Sequence, residues 1–257
     1  MKNLLQRFKK RLILHRHPIA HDLWRQATEH LPVLTGLSAV EKARLRELST
    51  LFLHEKNFTS IEIDLTSIMS VRIAALACLP VLNLGVSLFS AWRTLIVYPN
   101  AFVVNRDETD EYGVVHHERK VLSGEAWQRG PVVVSWADLE TDLHPDRHGH
   151  NVVIHEIAHK LDMINGHSNG MPPLHASMAV SEWTAVFSLA YQHLQQHLEH
   201  HHPLHIDAYA ATNPAECFAV FSEFFFCAPE VLHSYFPGVY RQLQLYYRQD
   251  PLLRGRL

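Results

Sequence analysis

The segment Asn151-Val-Val-Ile-His-Glu-Ile-Ala-His-Lys-Leu-Asp162 sets two histidines four residues apart, with a glutamate directly after the first. On an α-helix His155 and His159 project from one face, one turn apart, so both imidazoles can reach a single ion. Glu156 then lies about 100° round the axis. From there its carboxylate can hold a water at the ion's open position and take a proton as that water attacks a carbonyl. This is the chemistry of metal-assisted hydrolysis. In a chain with 21 histidines the bare His-Glu-x-x-His pattern arises by chance in roughly one chain in ten, so its setting has to carry weight. Ile154, Ile157, Ala158 and Leu161 form an apolar stripe that buries one side of the helix, while His155, His159 and Asp162 line another. Asp162 stands either to accept a hydrogen bond from a ligand histidine's second nitrogen or to end the helix as a solvated carboxylate.

An open catalytic site needs a third protein ligand. The extension that continues the motif with a glycine and a third histidine is absent, since Asp162 and Asn165 occupy those positions. A glutamate on a second helix is the other solution, and Asn213–Phe226 supplies one. Asn213 followed by Pro214 is a helix start, a cap and then a first-turn proline. Glu216 falls in the first turn and Glu223 two turns further along the same face. Phe218, Phe221 and Phe225 make this helix too apolar for a surface. Two carboxylates on a buried helix need partners, which points to a cation opposite them. Glu216 also has the spacing for reciprocal capping with Asn213, and Glu223 reads as a supporting or ion-paired carboxylate rather than a ligand.

The elements that must bring these residues together read as one α+β domain. A basic segment, residues 1–20, precedes a single domain over 21–257: a helical layer at about 21–90, a sheet region at about 94–136 and a helical half at about 138–250. Ser38 and Glu41 form a capping box, alternation over Phe58–Leu65 predicts a strand, and helix resumes over Ile68–Leu79. Short β-branched runs at Leu95–Tyr98, Ala101–Val104, Gly113–His116, Lys120–Ser123 and Pro131–Ser135 predict a small mixed sheet. Helices are predicted over Asn151–Met163, Ala176–Glu199, Pro214–Phe226 and Val239–Arg248. The chain's 257 residues carry 23 Lys+Arg against 26 Asp+Glu, a net charge of −3, so no global positive field favours direct nucleic-acid binding. Cys78, Cys217 and Cys227 are too few and too scattered for a disulfide framework and read as buried thiols of a cytoplasmic protein. The apolar run Ile73–Phe89 is interrupted by Pro80, Asn83 and Gly85, which argues for a core segment rather than a membrane span. His193, His197, His200–His202 and His205 crowd a predicted helix end, which reads as an exposed helix tail, although such tracts can also bind metals adventitiously.

The stretches Ile154–Gly166, Ile206–Phe226, Cys78–Gly85 and Tyr98–Trp136 together resemble the Mlc titration factor A family over roughly residues 20–250. The resemblance implies a gluzincin-like zinc metallopeptidase, similar to the catalytic domain of anthrax lethal factor. It implies Zn2+ held by His155, His159 and Glu216, with Glu156 as general base. Tyr209 matches a tyrosine that donates a hydrogen bond to the oxyanion, though it is equally placed to be a packing residue. The same resemblance gives His116 as a fourth ligand that closes a resting site; the neighbouring His117 departs from the family pattern. A peptide substrate, an aminopeptidase-like activity and the Mlc repressor as partner follow from the resemblance. The repressor would be kept off DNA, modulating the glucose phosphotransferase system. A repressor-sequestering protein with a structural or vestigial zinc site is the competing reading. A deaminase-type site is disfavoured, because no Cys-x-x-Cys follows.

Overall fold

The computed structural model describes residues 2–109, 115–122, 124–126, 130–144, 147 and 149–254, and within these the side chains of 2–6, 102–109, 115–122 and 124–126 lie outside the description. Four helices come first: α1 (Lys2–Arg16), α2 (His21–Thr28), α3 (Ala39–Glu55) and α4 (Ser67–Cys78). The predicted capping box starts α3, with Ser38 Oγ accepting from the Glu41 N–H at 3.3 Å and the Ser38 N–H donating to Glu41 Oε2 at 2.9 Å. The basic helix α1 packs on α3 through the buried Ile13.

Strands β1 (Asn57–Ser60), β2 (Thr94–Tyr98), β5 (Gly124–Ala126) and β6 (Val132–Ser135) form one sheet in the order β1-β2-β6-β5. The first three are parallel and β5 runs antiparallel to β6, so the expected mixed sheet is present. Leu95 pairs with Phe58 on one side and Val132 on the other, and Val97 with Val134, which stacks the buried Leu95, Val97, Val132 and Val134 into the core. Strand β1 is half the predicted length: Glu62 adopts a left-handed φ of 58°, which breaks the extended backbone that Ile61, Ile63 and Leu65 suggest. Between β2 and β6, β3 (Phe102–Thr109) and β4 (Val115–Leu122) form a separate antiparallel ribbon. Val115–His116 and Lys120–Leu122, parts of two predicted runs, thus belong to one strand, while Gly113, Val114 and Ser123 lie outside the described residues. The charged stretch His117–Lys120 interrupts the apolar pattern, but ladder hydrogen bonds are made by backbone and do not require it.

The second half is helical: α5 (Trp136–Asp142), α6 (Val152–Asp162), α7 (Val180–Glu199), α8 (Pro214–Cys227), α9 (Pro229–Tyr235), α10 (Pro237–Tyr247) and α11 (Pro251–Arg254). Helix α7 begins later than Ala176, and the sequence pattern does not mark α5, α9 or α11. Helix α6 lies against β5, β6 and α4 on one side and α8 on the other, so nearly every one of its residues is buried. Helix α8 is anchored by Phe218, Phe221 and Phe225, all 0% exposed, each contributing about 1.5–3 kcal/mol by burial. That burial fixes where the polar face of α8 points. Among the described residues no helix is long and apolar enough to cross a membrane; the run from Ile73 is split into α4, a turn and a short 3-10 helix at Val86–Phe89.

Candidate metal centre

Helix α6 is held at its start by three side chains. Asn151 Oδ1 accepts the N–H of Ile154 at 3.0 Å, a regular N-cap. The N–H groups of Asn151 and Val152, which no helical carbonyl can reach, donate to Glu223 Oε2 at 2.6 Å and Asp142 Oδ2 at 2.9 Å. Two carboxylates at the positive end of α6 also suit its dipole. Just upstream, Gly149 has φ 91° and lies so close to the Phe224 ring that a Cβ would stand 2.5 Å from it, which seats the entry of α6 on α8.

Helix α8 starts on Asn213, whose Oδ1 accepts from the N–H groups of Ala215 at 2.9 Å and Glu216 at 3.0 Å. The Glu216 carboxylate turns to α6. Its Oε2 lies 3.0 Å from His155 Nε2 and 3.1 Å from His159 Nε2, and the two nitrogens are 3.1 Å apart. Among the described residues this is the one group of three histidine, cysteine or acidic ligand atoms gathered within 4.8 Å. The glutamate read from a distant stretch therefore meets the two histidines. Ligand atoms round a tetrahedral zinc, bonded at 2.0–2.1 Å, stand roughly 3.3 Å apart, close to the edges of this triangle.

The tautomers agree. His155 Nδ1 lies 2.7 Å from Glu223 Oε1. An ionised carboxylate only accepts, so Nδ1 carries a proton, and Nε2 is the nitrogen that can ligate an ion once it gives up the proton it donates to Glu216. Glu223 thus joins the start of α6 to the orientation of His155 with its two oxygens. Burial works to lower the His155 pKa, but the Glu223 and Glu216 carboxylates outweigh it and hold the ring well above its usual value. Burial raises Glu216, yet hydrogen bonds from His155 and His159 hold it far below the carboxylate range. Glu156 is only 3% exposed. Its burial, against the pull of His155 and His159, pushes its pKa up to about 7. Glu156 Oε2 is buried without a hydrogen-bond partner, which is unusual unless a bound species completes the site; His159 Nδ1 is also unpartnered but is not the nitrogen that faces the triangle. Donor set, spacing and the unpartnered Glu156 oxygen fit a divalent ion of the zinc type.

The remaining candidates are placed differently. Asp162 does not orient a ligand histidine: its Oδ2 accepts the Gly170 N–H at 2.8 Å and its Oδ1 has no partner, so it ties down the loop after α6. The reason is that the loop folds back beneath the helix end and takes the carboxylate first. Nor is it solvated, being 0% exposed. Tyr209 sits on a 3-10 turn, Ala208–Ala211, packed against α8, with its ring centroid 6.1 Å from that of His155 and 44% of its surface exposed. His116 stands on β4 opposite Glu108, and its side chain lies outside the described residues. Asp142 was missed by sequence reasoning. Its carboxyl is pushed up to about 6, chiefly by burial, and no local pattern marks its hydrogen bond to a helix ten residues on.

Comparison with known proteins gives the same direction. The chain is 41% identical over 236 residues to Mlc titration factor A of Klebsiella pneumoniae, covering 91% of this chain and 88% of that one. It is 41% identical to Mlc titration factor A of Cronobacter sakazakii, covering 90% and 88%, and 42% identical to that of Yersinia pestis, covering 90% and 86%. The family model for the glucose-regulated metallo-peptidase M90 matches residues 5–248. With nearly the whole chain matched and a His/His/Glu triad built as a metallopeptidase requires, the chain belongs to the M90 metallopeptidase family.

Proposed function

We propose that this chain is a zinc-dependent peptidase in which His155, His159 and Glu216 hold the ion and Glu156 is the general base. The observation that carries this reading is the triangle of Nε2, Nε2 and Oε2 atoms within 3.0–3.1 Å of one another beside a buried, unpartnered glutamate oxygen. Zinc held there supplies Lewis acidity to a peptide carbonyl and to water. Glu156 takes a proton from the attacking water on its Oε2 and delivers it to the leaving amine. A carboxyl lifted to about 7 by burial is suited to both transfers near neutral pH. Glu223 keeps the His155 lone pair aimed at the ion throughout. Tyr209, exposed beside His155, donates its hydroxyl to the oxyanion of the tetrahedral state. Strand β5 ends the sheet order and packs on α6; main-chain groups of an edge strand there suit an extended peptide lying alongside the site. His116 serves as the fourth ligand of a closed resting state, and an aminopeptidase-like preference follows from the family resemblance.

The relatives' name, Mlc titration factor A, supports a second role: binding the Mlc repressor, and through it regulating glucose uptake by the phosphotransferase system in the cytoplasm. Glu156→Gln tests the peptidase reading. Peptide hydrolysis should fall about 10²–10⁴-fold, the usual contribution of a general base, with zinc content unchanged. Undiminished hydrolysis at full zinc content would refute the assignment. Repressor binding that survives the substitution places the second role on another surface, and the site then serves hydrolysis alone.

A further inference from the structure

The far end of α7 gathers a second group of imidazoles that shares no residue with the triad. His193 and His197, one turn apart, have ring centroids 4.1 Å apart. Past Glu199 the chain folds back sharply. The His202 N–H donates to the His197 carbonyl at 2.8 Å, and His201 between them takes a left-handed φ of 54°. This six-residue closure is the Schellman form of helix end, whose left-handed position is usually glycine; a histidine there is strained. The fold-back sets the His202 ring 5.3 Å from that of His197 and 5.8 Å from that of His200.

In two of these rings a backbone carbonyl assigns the Nδ1 proton. His197 Nδ1 faces the Pro203 carbonyl at 3.4 Å, and His200 Nδ1 faces the Gln196 carbonyl at 2.8 Å. A carbonyl only accepts, so these nitrogens carry the protons and the Nε2 lone pairs are left for a ligand role. A backbone carbonyl behind the second nitrogen is the usual support of a metal-ligating histidine. His193 is held below its ordinary range, first by burial and then by neighbouring His197, which keeps it neutral and able to ligate. All but the half-buried His197 are exposed. Their ligand nitrogens are not gathered within 4.8 Å of one another, so binding requires rotation of the exposed His193 and His202 rings toward His197, the first at the expense of its packing on Phe236.

We propose that the C-terminal end of α7 binds a second transition-metal ion, of the Zn2+, Ni2+ or Cu2+ class, through His193, His197 and His202, with His200 at its margin. An imidazole set selects these ions over Mg2+ and Ca2+, which prefer oxygen ligands.

The test is a titration of the metal-free full-length chain, purified without an affinity tag, with Zn2+ and separately with Ni2+ against a competing chromophoric chelator. The parent should take up two equivalents of Zn2+. His155→Ala/His159→Ala should keep one, and its Cu2+ complex should show electron-resonance couplings to several imidazole nitrogens. His193→Gln/His197→Gln/His202→Gln should also keep one, with the second equivalent weakened at least about 100-fold. Glu216→Gln replaces the first variant if its circular dichroism shows it unfolded. His201→Gly keeps the turn and removes no proposed ligand, so it should bind as the parent does. The proposal is overturned if the triple glutamine variant still takes up two equivalents. It is equally overturned if the triad variants bind nothing tighter than about 0.1 mM, or if His201→Gly alone abolishes the second equivalent.

Discussion

Replacing Glu223 by glutamine separates what holds His155 from what merely surrounds it. The carboxylate serves two donors at once, His155 Nδ1 at 2.7 Å and the Asn151 N–H at 2.6 Å, one on each oxygen. An amide offers only one oxygen, so either orientation sets an NH2 group against a donor. Facing His155, the amide removes a charge-assisted hydrogen bond of about 1.5–3 kcal/mol and frees the ring to turn or to exchange tautomers. Facing Asn151, it leaves a buried N–H at the start of α6 unsatisfied, at a similar cost. The first outcome appears as metal affinity, the second as stability. We expect the side chain to keep its oxygen on the backbone N–H, which cannot move, and to release the ring. Zinc affinity should then fall about 10–100-fold, the range for loss of a histidine's supporting partner, while the urea midpoint of the metal-free protein changes little. Competition against a chelator of known affinity measures the first quantity, and circular dichroism in urea the second. If both match the parent, within about twofold in affinity and about 0.5 kcal/mol in stability, Glu223 neither orients His155 nor anchors α6.

Other consequences concern the frame. Asp142 is a buried carboxyl whose folded-state pKa is raised from 3.8 to about 6, so the fold favours its protonated form. The resulting penalty is full above about pH 6, shrinks as pH falls, and vanishes below the ordinary carboxylate value. Asp142→Asn keeps an oxygen for the Val152 N–H and should therefore stabilise the protein at pH 8 by up to about 3 kcal/mol. Urea unfolding should show a gain of only about 0.5 kcal/mol at pH 4; an equal gain at both values contradicts the raised pKa. Gly170, at φ 76°, would carry a Cβ 2.2 Å from the Pro214 carbonyl oxygen. Gly170→Ala should cost about 3 kcal/mol or more and weaken zinc binding, because the backbone it displaces carries Glu216 two residues on. Parent-like melting and affinity would show the contact to be soft. At the end of α7, His201→Gly relieves the left-handed backbone and should raise stability by about 0.5–1 kcal/mol, seen as a shift of roughly 1–4 °C in thermal unfolding.

The parts of this site that the sequence displays are those whose logic is local or whose burial is costly. His155 and His159 are visible because one helical turn brings them together whatever the rest of the chain does. Glu216 is visible for a different reason. Phe218, Phe221 and Phe225 declare a buried helix, and a buried helix cannot keep two carboxylates without opposing charge. That requirement also anticipates Glu223, whose partner is the ring of His155. What stays hidden is set by chain crossings. Asp142 and Gly170 matter because α5 ends beside the start of α6 and the loop after α6 runs beneath Pro214, and neither meeting has a period or a motif. Asp162 shows the limit most clearly. Its spacing after His159 suits a supporting carboxylate, and only the path of the loop at Gly170 decides that it holds backbone instead. A one-turn motif can thus be read for its ligands, whereas the groups that orient those ligands depend on which segment reaches them first. In this fold the α8 helix reaches them, supplying one candidate ligand and one carboxylate that holds the His155 ring from a single buried face. Disturbing the seat of α8 at Gly149 or Gly170 should therefore weaken metal binding and His155 orientation together, because one rigid element carries both.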